Sequence, residues 1–182
     1  MLSRKMNEAL NDQIGAETYS AYLYLAMSSS CSALGYKGAA MWFFVQMQEE
    51  LTHALRIYAY VNKQGGRVVL GAIDKPPANF GGIKQMYEAA LKHEKYITDR
   101  INKLVKLARA ENDHATEVFL QWFVNEQVEE EQNDMDVLSE LKLAGDHGGA
   151  LLMIDRELGA RTFTLPADLG LSPEGSPAGG AA

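Results

Sequence analysis

All five prolines of this 182-residue chain stand at Pro76, Pro77, Pro166, Pro173 and Pro177. Residues 1–75 and 78–165 are therefore free of the strongest helix breaker, and glycines and turn residues divide them further. Ser3 can cap a helix that runs to about Leu34, where Gly35 ends it. A second helix, about Gly38 to Gln64, stops at Gly65-Gly66, and residues 67–81 read as a long connection. A third covers about Ile83–Ala110, with Asn112-Asp113 at the turn, and a fourth runs from about Ala115 to Ala144, ended by Gly145. Gly148-Gly149 precede a short fifth helix, about Ala150–Leu158. The spacing thus predicts one helical domain over 1–158 and a low-complexity C-terminal tail over 159–182, ending SPEGSPAGGAA. Helices of roughly 27–32 residues are each about 40–48 Å long at ~1.5 Å rise per residue. Short turns make antiparallel hairpins, and a long connection can cross the length of a bundle. The fold class is all-α: a four-helix bundle with one long crossover plus a short fifth helix.

Composition narrows the function classes. The formal charge is -7, from 24 Asp+Glu against 17 Lys+Arg, which disfavours nucleic acid and anionic membrane as partners. Cys31 is the lone cysteine, so an internal disulfide framework is excluded. Arg4, Lys5, Glu8, Asp12 and Glu17 leave no apolar signal-peptide core near the start. The uncharged run Thr18–Tyr36 holds too many serines and tyrosines for a membrane span. A soluble, cytoplasmic protein is the expectation.

Chemistry enters where the apolar stripes are interrupted. At about 100° per residue, Met6, Leu10, Ile14, Glu17, Ala21 and Tyr24 share one face of the first helix. Phe43, Met47, Glu50, Ala54, Ile57 and Val61 align on the second, and Ile83, Tyr87, Leu91, Glu94, Thr98, Ile101 and Val105 on the third. The fourth aligns Phe119, Leu120, Phe123, Gln127, Glu130, Asp134, Leu138 and Leu141. Each stripe thus has a carboxylate near its middle, and an unpaired buried charge costs several kcal/mol or neutralises. No basic residue stands at these central positions to compensate, whereas a bound cation would. His53, three residues after Glu50, adds a neutral nitrogen ligand.

The spacing suits a dinuclear carboxylate site, in which two helices give one Glu each and two give Glu-x-x-His. Glu17 and Glu94 are the single glutamates and Glu50-x-x-His53 is one motif; the fourth helix departs from the pattern with Gln127-x-x-Glu130. An asymmetric site follows, one metal with N/O ligands and the other with oxygen alone, and that donor set suits Fe, Mn or Zn. Glu49, Glu126, Glu129 and Glu131 form a second acidic cluster beside it. They read either as a looser third cation site or as a solvated face. Tyr24, seven residues after Glu17, is placed to donate a hydrogen bond or an electron at the metals, or to fill core. Trp42, Trp122, Phe43 and Met47 read as core, His93, His114 and His147 as surface or loop residues, and Asp134 as facing a hydrated end of the bundle.

The segments LNDQIGAETYSAYLYL, QEELTHALRIYAYV and FLQWFVNEQVEEE resemble those of bacterial non-haem ferritins, along about residues 1–158. The resemblance implies a first iron held by Glu17, Glu50 and His53, and a second held by bridging Glu50 with Glu94 and Glu130. Gln127 would hydrogen-bond at the site, Tyr24 would be the nearby tyrosine, and Glu49, Glu126, Glu129 and Glu130 would form the third iron site. It further implies a homo-oligomeric shell of twenty-four subunits that oxidises Fe(II) with dioxygen or peroxide and stores Fe(III) as mineral. Asp113, His114 and Glu117 would line its three-fold channels, although apolar Leu120 interrupts an acidic entry path. Glu50-Leu51-Thr52-His53 lacks the haem-ligating methionine of bacterioferritins, so no haem is expected. The runner-up is another di-iron carboxylate enzyme, a peroxide reductase or small oxygenase; a metal-free structural bundle is the third reading.

Overall fold

The computed structural model describes residues 1–169. It contains α1 (Arg4–Leu34), α2 (Lys37–Lys63), α3 (Ile83–Ala110), α4 (His114–Ala144) and α5 (Gly148–Leu158), with no strand among the described residues. Local chemistry sets the boundaries. Ser3 Oγ accepts from the Met6 amide at 3.0 Å, and Gly35 at φ +89° closes α1 by donating to the Cys31 and Ser32 carbonyls. Asp113 caps α4 through the Thr116 amide at 3.0 Å. His147 Nδ1 caps α5 through the Ala150 amide at 3.2 Å.

α1 packs along α2 and α3 along α4, and α1 also meets α3. The crossover, residues 64–82, is fastened to α1 by side-chain amides. Asn7 both donates to the Arg67 carbonyl and accepts from its amide, at 3.2 and 3.1 Å, and Asn11 accepts from the Val69 amide at 2.7 Å. These bonds satisfy loop backbone that has no helix or sheet partner. α5 docks on α2 and α4. Its contact is close: a Cβ at Gly38 would fall 1.4 Å from the Asp155 carbonyl oxygen, so backbone meets backbone where α2 begins.

The apolar interior is in two parts. One contains Tyr24, Met27, Phe43, Met86, Tyr87 and α5's Leu158. The other contains Leu10, Ile14, Ile57, Ile97, Ile101 and Phe123. The polar side chains of Glu17, Glu50, His53, Glu94, Gln127 and Glu130 are also buried, at positions between these apolar groups along their helices. Among the described residues no helix is long and apolar enough to cross a membrane.

The chain after α5 differs from a free tail as far as it is described. Arg161 pairs with Glu49 on α2, Asp168 pairs with Arg56 on α2, and Leu169 is buried. Composition sets this stretch apart from the bundle, yet opposite charges and one leucine attach it. The rest of the C-terminal tail, 170–182, lies outside the described residues.

Candidate metal centre

Glu17 on α1, Glu50 on α2 and Glu94 on α3 are each 1% exposed, and Glu130 on α4 is 5% exposed. Helical period explains their direction, since each continues a row of buried apolar residues. One ligand atom from each of Glu17, Glu50 and His53 lies within 4.8 Å of the other two, and so do atoms of His53, Glu126 and Glu130. His53 joins the two groups. Its Nδ1 is 3.6 Å from Glu50 Oε2 and its Nε2 is 3.7 Å from Glu126 Oε1, and its ring is held edge-on by Trp122. Glu94 is turned elsewhere: it accepts from the Tyr24 hydroxyl and, at 3.0 Å, from Gln127 Nε2.

Glu17 Oε2 and Glu50 Oε2 are buried with no hydrogen-bond partner. Burial raises the Glu17 and Glu94 carboxyls and holds Glu50 well above the ordinary carboxylate range. Burial, helped by the Glu94 charge, pushes Glu130 up to about 8. For His53 burial alone would lower the imidazole, but Glu50, Glu126 and Glu17 together hold it well above its usual value. A small space crowded with carboxyls that resist ionising favours either protons or a multivalent cation in their place.

Two amide relays, unanticipated from the sequence, steady the carboxylates. Arg100 Nε donates to Gln13 Oε1 at 2.9 Å, and Gln13 Nε2 donates to Glu17 Oε1 at 2.9 Å. Arg161 donates to Gln46 Oε1 at 2.7 Å, and Gln46 Nε2 donates to Glu130 Oε2 at 2.7 Å. Gln13 and Gln46 stand four residues before Glu17 and Glu50, so an amide one turn ahead of a stripe glutamate is the signal that could have exposed them.

The outer acids separate. Glu126 reaches His53, Glu49 pairs with Arg161, Glu129 is exposed, and Glu131 accepts from Thr98 at 2.6 Å. Two other expectations fail. Asp134 does not face a hydrated end: it is 1% exposed, both its oxygens lack a partner, and burial beside Glu94 and Glu130 raises it to about 9. Nor is His93 an exposed residue: it is half-buried. It is hydrogen-bonded with Ser20 Oγ at 2.7 Å and packed by Tyr19, Tyr24 and Tyr96, and burial lowers its imidazole to about 4. Trp42 and Phe43 are core, Trp122 and Met47 are half-buried, and His114 is exposed at the start of α4. Cys31 is buried against Met86.

Residues 7–144 match the model of the ferritin-like domain. A bacterial non-heme ferritin of Staphylococcus aureus is 39% identical over 163 residues, covering 90% of this chain and 98% of its own. A closed form of the Archaeoglobus fulgidus ferritin, engineered by site-directed mutagenesis, has a TM-score of 0.89 and 48% identity over 90% of this chain and all of its own. The open-pore ferritin of the same archaeon has a TM-score of 0.88 and 47% identity, over 89% of this chain and all of its own.

Proposed function

Because this chain belongs to the ferritin family, we propose that it is an iron-storage subunit with ferroxidase activity. It takes Fe(II) as substrate between its four long helices and passes Fe(III) to a mineral inside a shell of twenty-four copies. The observation that carries this reading is the pair of orphaned buried oxygens, Glu17 Oε2 and Glu50 Oε2, in a group with His53. Buried oxygens without donors cost free energy, and a cation relieves that cost. Glu17, Glu50 and His53 hold one Fe(II). Glu50, Glu94 and Glu130 hold the other, with Tyr24 and Gln127 hydrogen-bonded to Glu94. Glu126, with Glu49, Glu129 and Glu130, forms a third, outer position.

Two Fe(II) held together supply the two electrons that, with two protons, take dioxygen to hydrogen peroxide. Anionic oxygen ligands favour Fe(III) over Fe(II), so binding itself favours oxidation. The protons are near at hand, because the carboxyls that burial keeps protonated release them as metal enters. Tyr24, hydrogen-bonded to Glu94, positions that carboxylate and is a buried phenol beside it for a further electron. The ion leaves by exchange among carboxylates. The cell interior is the compartment that suits this chemistry, and no haem takes part.

Aerobic addition of Fe(II) to the purified metal-free protein, followed by particle mass and iron per particle, tests the reading. Hundreds of irons in a large particle support storage. A stable two irons per chain points to another di-iron enzyme, and no uptake to a structural bundle. Glu50→Ala and Glu130→Ala should each slow the fast phase of Fe(II) oxidation by roughly 100-fold, at the upper end of what even supporting residues cost, and leave the particle mass unchanged. Wild-type oxidation rates in both would rule out the ligand assignment.

A further inference from the structure

The chain leaving α5 returns along α2, and its two ends there are fixed by ion pairs. At one end Arg161 donates to Gln46 Oε1 at 2.7 Å, pairs with Glu49, and lies with its guanidinium carbon 4.5 Å from the centre of the Trp42 ring. At the other end Arg56 grips Asp168 through two bonds, 2.9 and 3.0 Å, with its own guanidinium 4.1 Å from the Trp122 ring centre. Trp42, Glu49 and Arg56 are seven residues apart, so they share one face of α2. The two anchor points, Glu49 and Arg56, are therefore about 10 Å apart along the helix, and His53 lies between them in sequence. Residues 161–168 thus form a strap beside the outer acids.

Arg161 is placed for more than fastening. Its partners are Glu49, an outer ligand in the reading above, and Gln46, whose amide holds Glu130. Arg161 and Glu49 side chains are only 21% and 28% exposed, so water screens the pair weakly. The planar guanidinium donates to Gln46 and neutralises Glu49 at once, and the part that competes with a cation is its charge.

We propose that Arg161 is a tethered counter-cation of the outer position: it neutralises Glu49 until a third metal ion displaces it, which loosens the strap. The inference rests on the ferroxidase reading and extends it. Filling of the outer position and loosening of the strap at its Arg161 end are then one event, because a single guanidinium and a metal ion compete for the same carboxylate, while Asp168 stays on Arg56.

Zn(II), which cannot be oxidised, is the probe. Calorimetric titration of the full-length, metal-free protein should give two tight ions per chain and a weaker third. In Arg161→Gln the third ion binds at least tenfold more tightly, while the first two stay within about threefold of wild type; a factor of ten corresponds to about 1.4 kcal/mol. Arg161→Lys, which keeps the charge, stays near wild type. Asp168→Asn, which weakens the far anchor, shifts the third step in the same direction by less. Hydrogen exchange at the Arg161 amide, which donates to the Leu158 carbonyl at 3.3 Å, should speed up as the third ion binds to wild type. A third step unchanged or weakened in Arg161→Gln, or Arg161→Lys behaving like Arg161→Gln, overturns the proposal while leaving the two-ion site standing. No tight binding in any form removes the ferroxidase reading and this inference with it.

Discussion

At the scale of single residues, Asp134 is a costly side chain to bury. Both of its oxygens are buried without a partner, and Glu94 and Glu130 add to the burial that keeps it protonated up to about pH 9. An unsatisfied buried polar group costs about 1–3 kcal/mol. Asp134→Leu should therefore raise the melting temperature of the metal-free protein by a few degrees, at about 2–4 °C per kcal/mol for a chain of this size. Scanning calorimetry checks this; a lower melting temperature would mean that the carboxyl has a stabilising partner. The four stripe glutamates could be read from the sequence because a 3.6-residue period fixes which side chains face inward. The neutral, half-buried state of His93 could not, since its surroundings come from Ser20 and Tyr24 on another helix. Nor could the deep burial of Asp134, which periodicity put on the right face without giving its depth.

Among the elements, α5 does more than end the bundle. Asp155 Oδ1 accepts from the Ala39 amide at 2.9 Å, so a short C-terminal helix caps the first turn of α2 from across the chain. The interaction joins an anion to unsatisfied helix N–H groups and the positive end of a helix dipole. Asp155→Ala should destabilise the protein by about 1 kcal/mol, the usual worth of a helix cap. Gly38→Ala should cost more, because its methyl would overlap the Asp155 carbonyl and force α5 away. Equilibrium denaturation measures both, and a Gly38→Ala protein as stable as wild type would show that α5 docks differently. Helix limits were readable to within a residue or two from Ser3, Gly35, Asp113 and Gly145, which act locally. The cap on α2 was not, because its donor and acceptor stand 116 positions apart.

Taken whole, the metal-free molecule should have a stability that depends on pH with a definite sign. Folding raises Glu17, Glu50 and Glu94, takes Glu130 to about 8 and Asp134 to about 9, and raises His53. Groups raised by folding hold extra protons in the native state, so their stabilisation is full at low pH and is lost as pH climbs towards 9. Each proton so held contributes a slope of up to about 1.4 kcal/mol per pH unit. His93, lowered to about 4, acts in the opposite sense below its ordinary value of 6.5. The melting temperature of the metal-free protein should accordingly rise as pH falls from 8.5 to 6. With Zn(II) bound the trend should reverse, because the ion replaces those protons. A flat or opposite profile without metal would contradict the crowded-carboxyl account of the centre.

Periodicity and punctuation in the sequence determined the five helices, the crossover and the inward position of Glu17, Glu50, Glu94, Gln127 and Glu130, because each depends on spacing within one helix. Tertiary structure decided the rest. It set which carboxylates group with His53, that Glu94 rests on Tyr24 and Gln127, and that Gln13 and Gln46 link buried acids to arginines. It also brought Arg161 back to Glu49, 112 positions earlier in the chain. Those pairings depend on how helices approach one another and on where an aperiodic segment lies, and neither leaves a local trace in sequence.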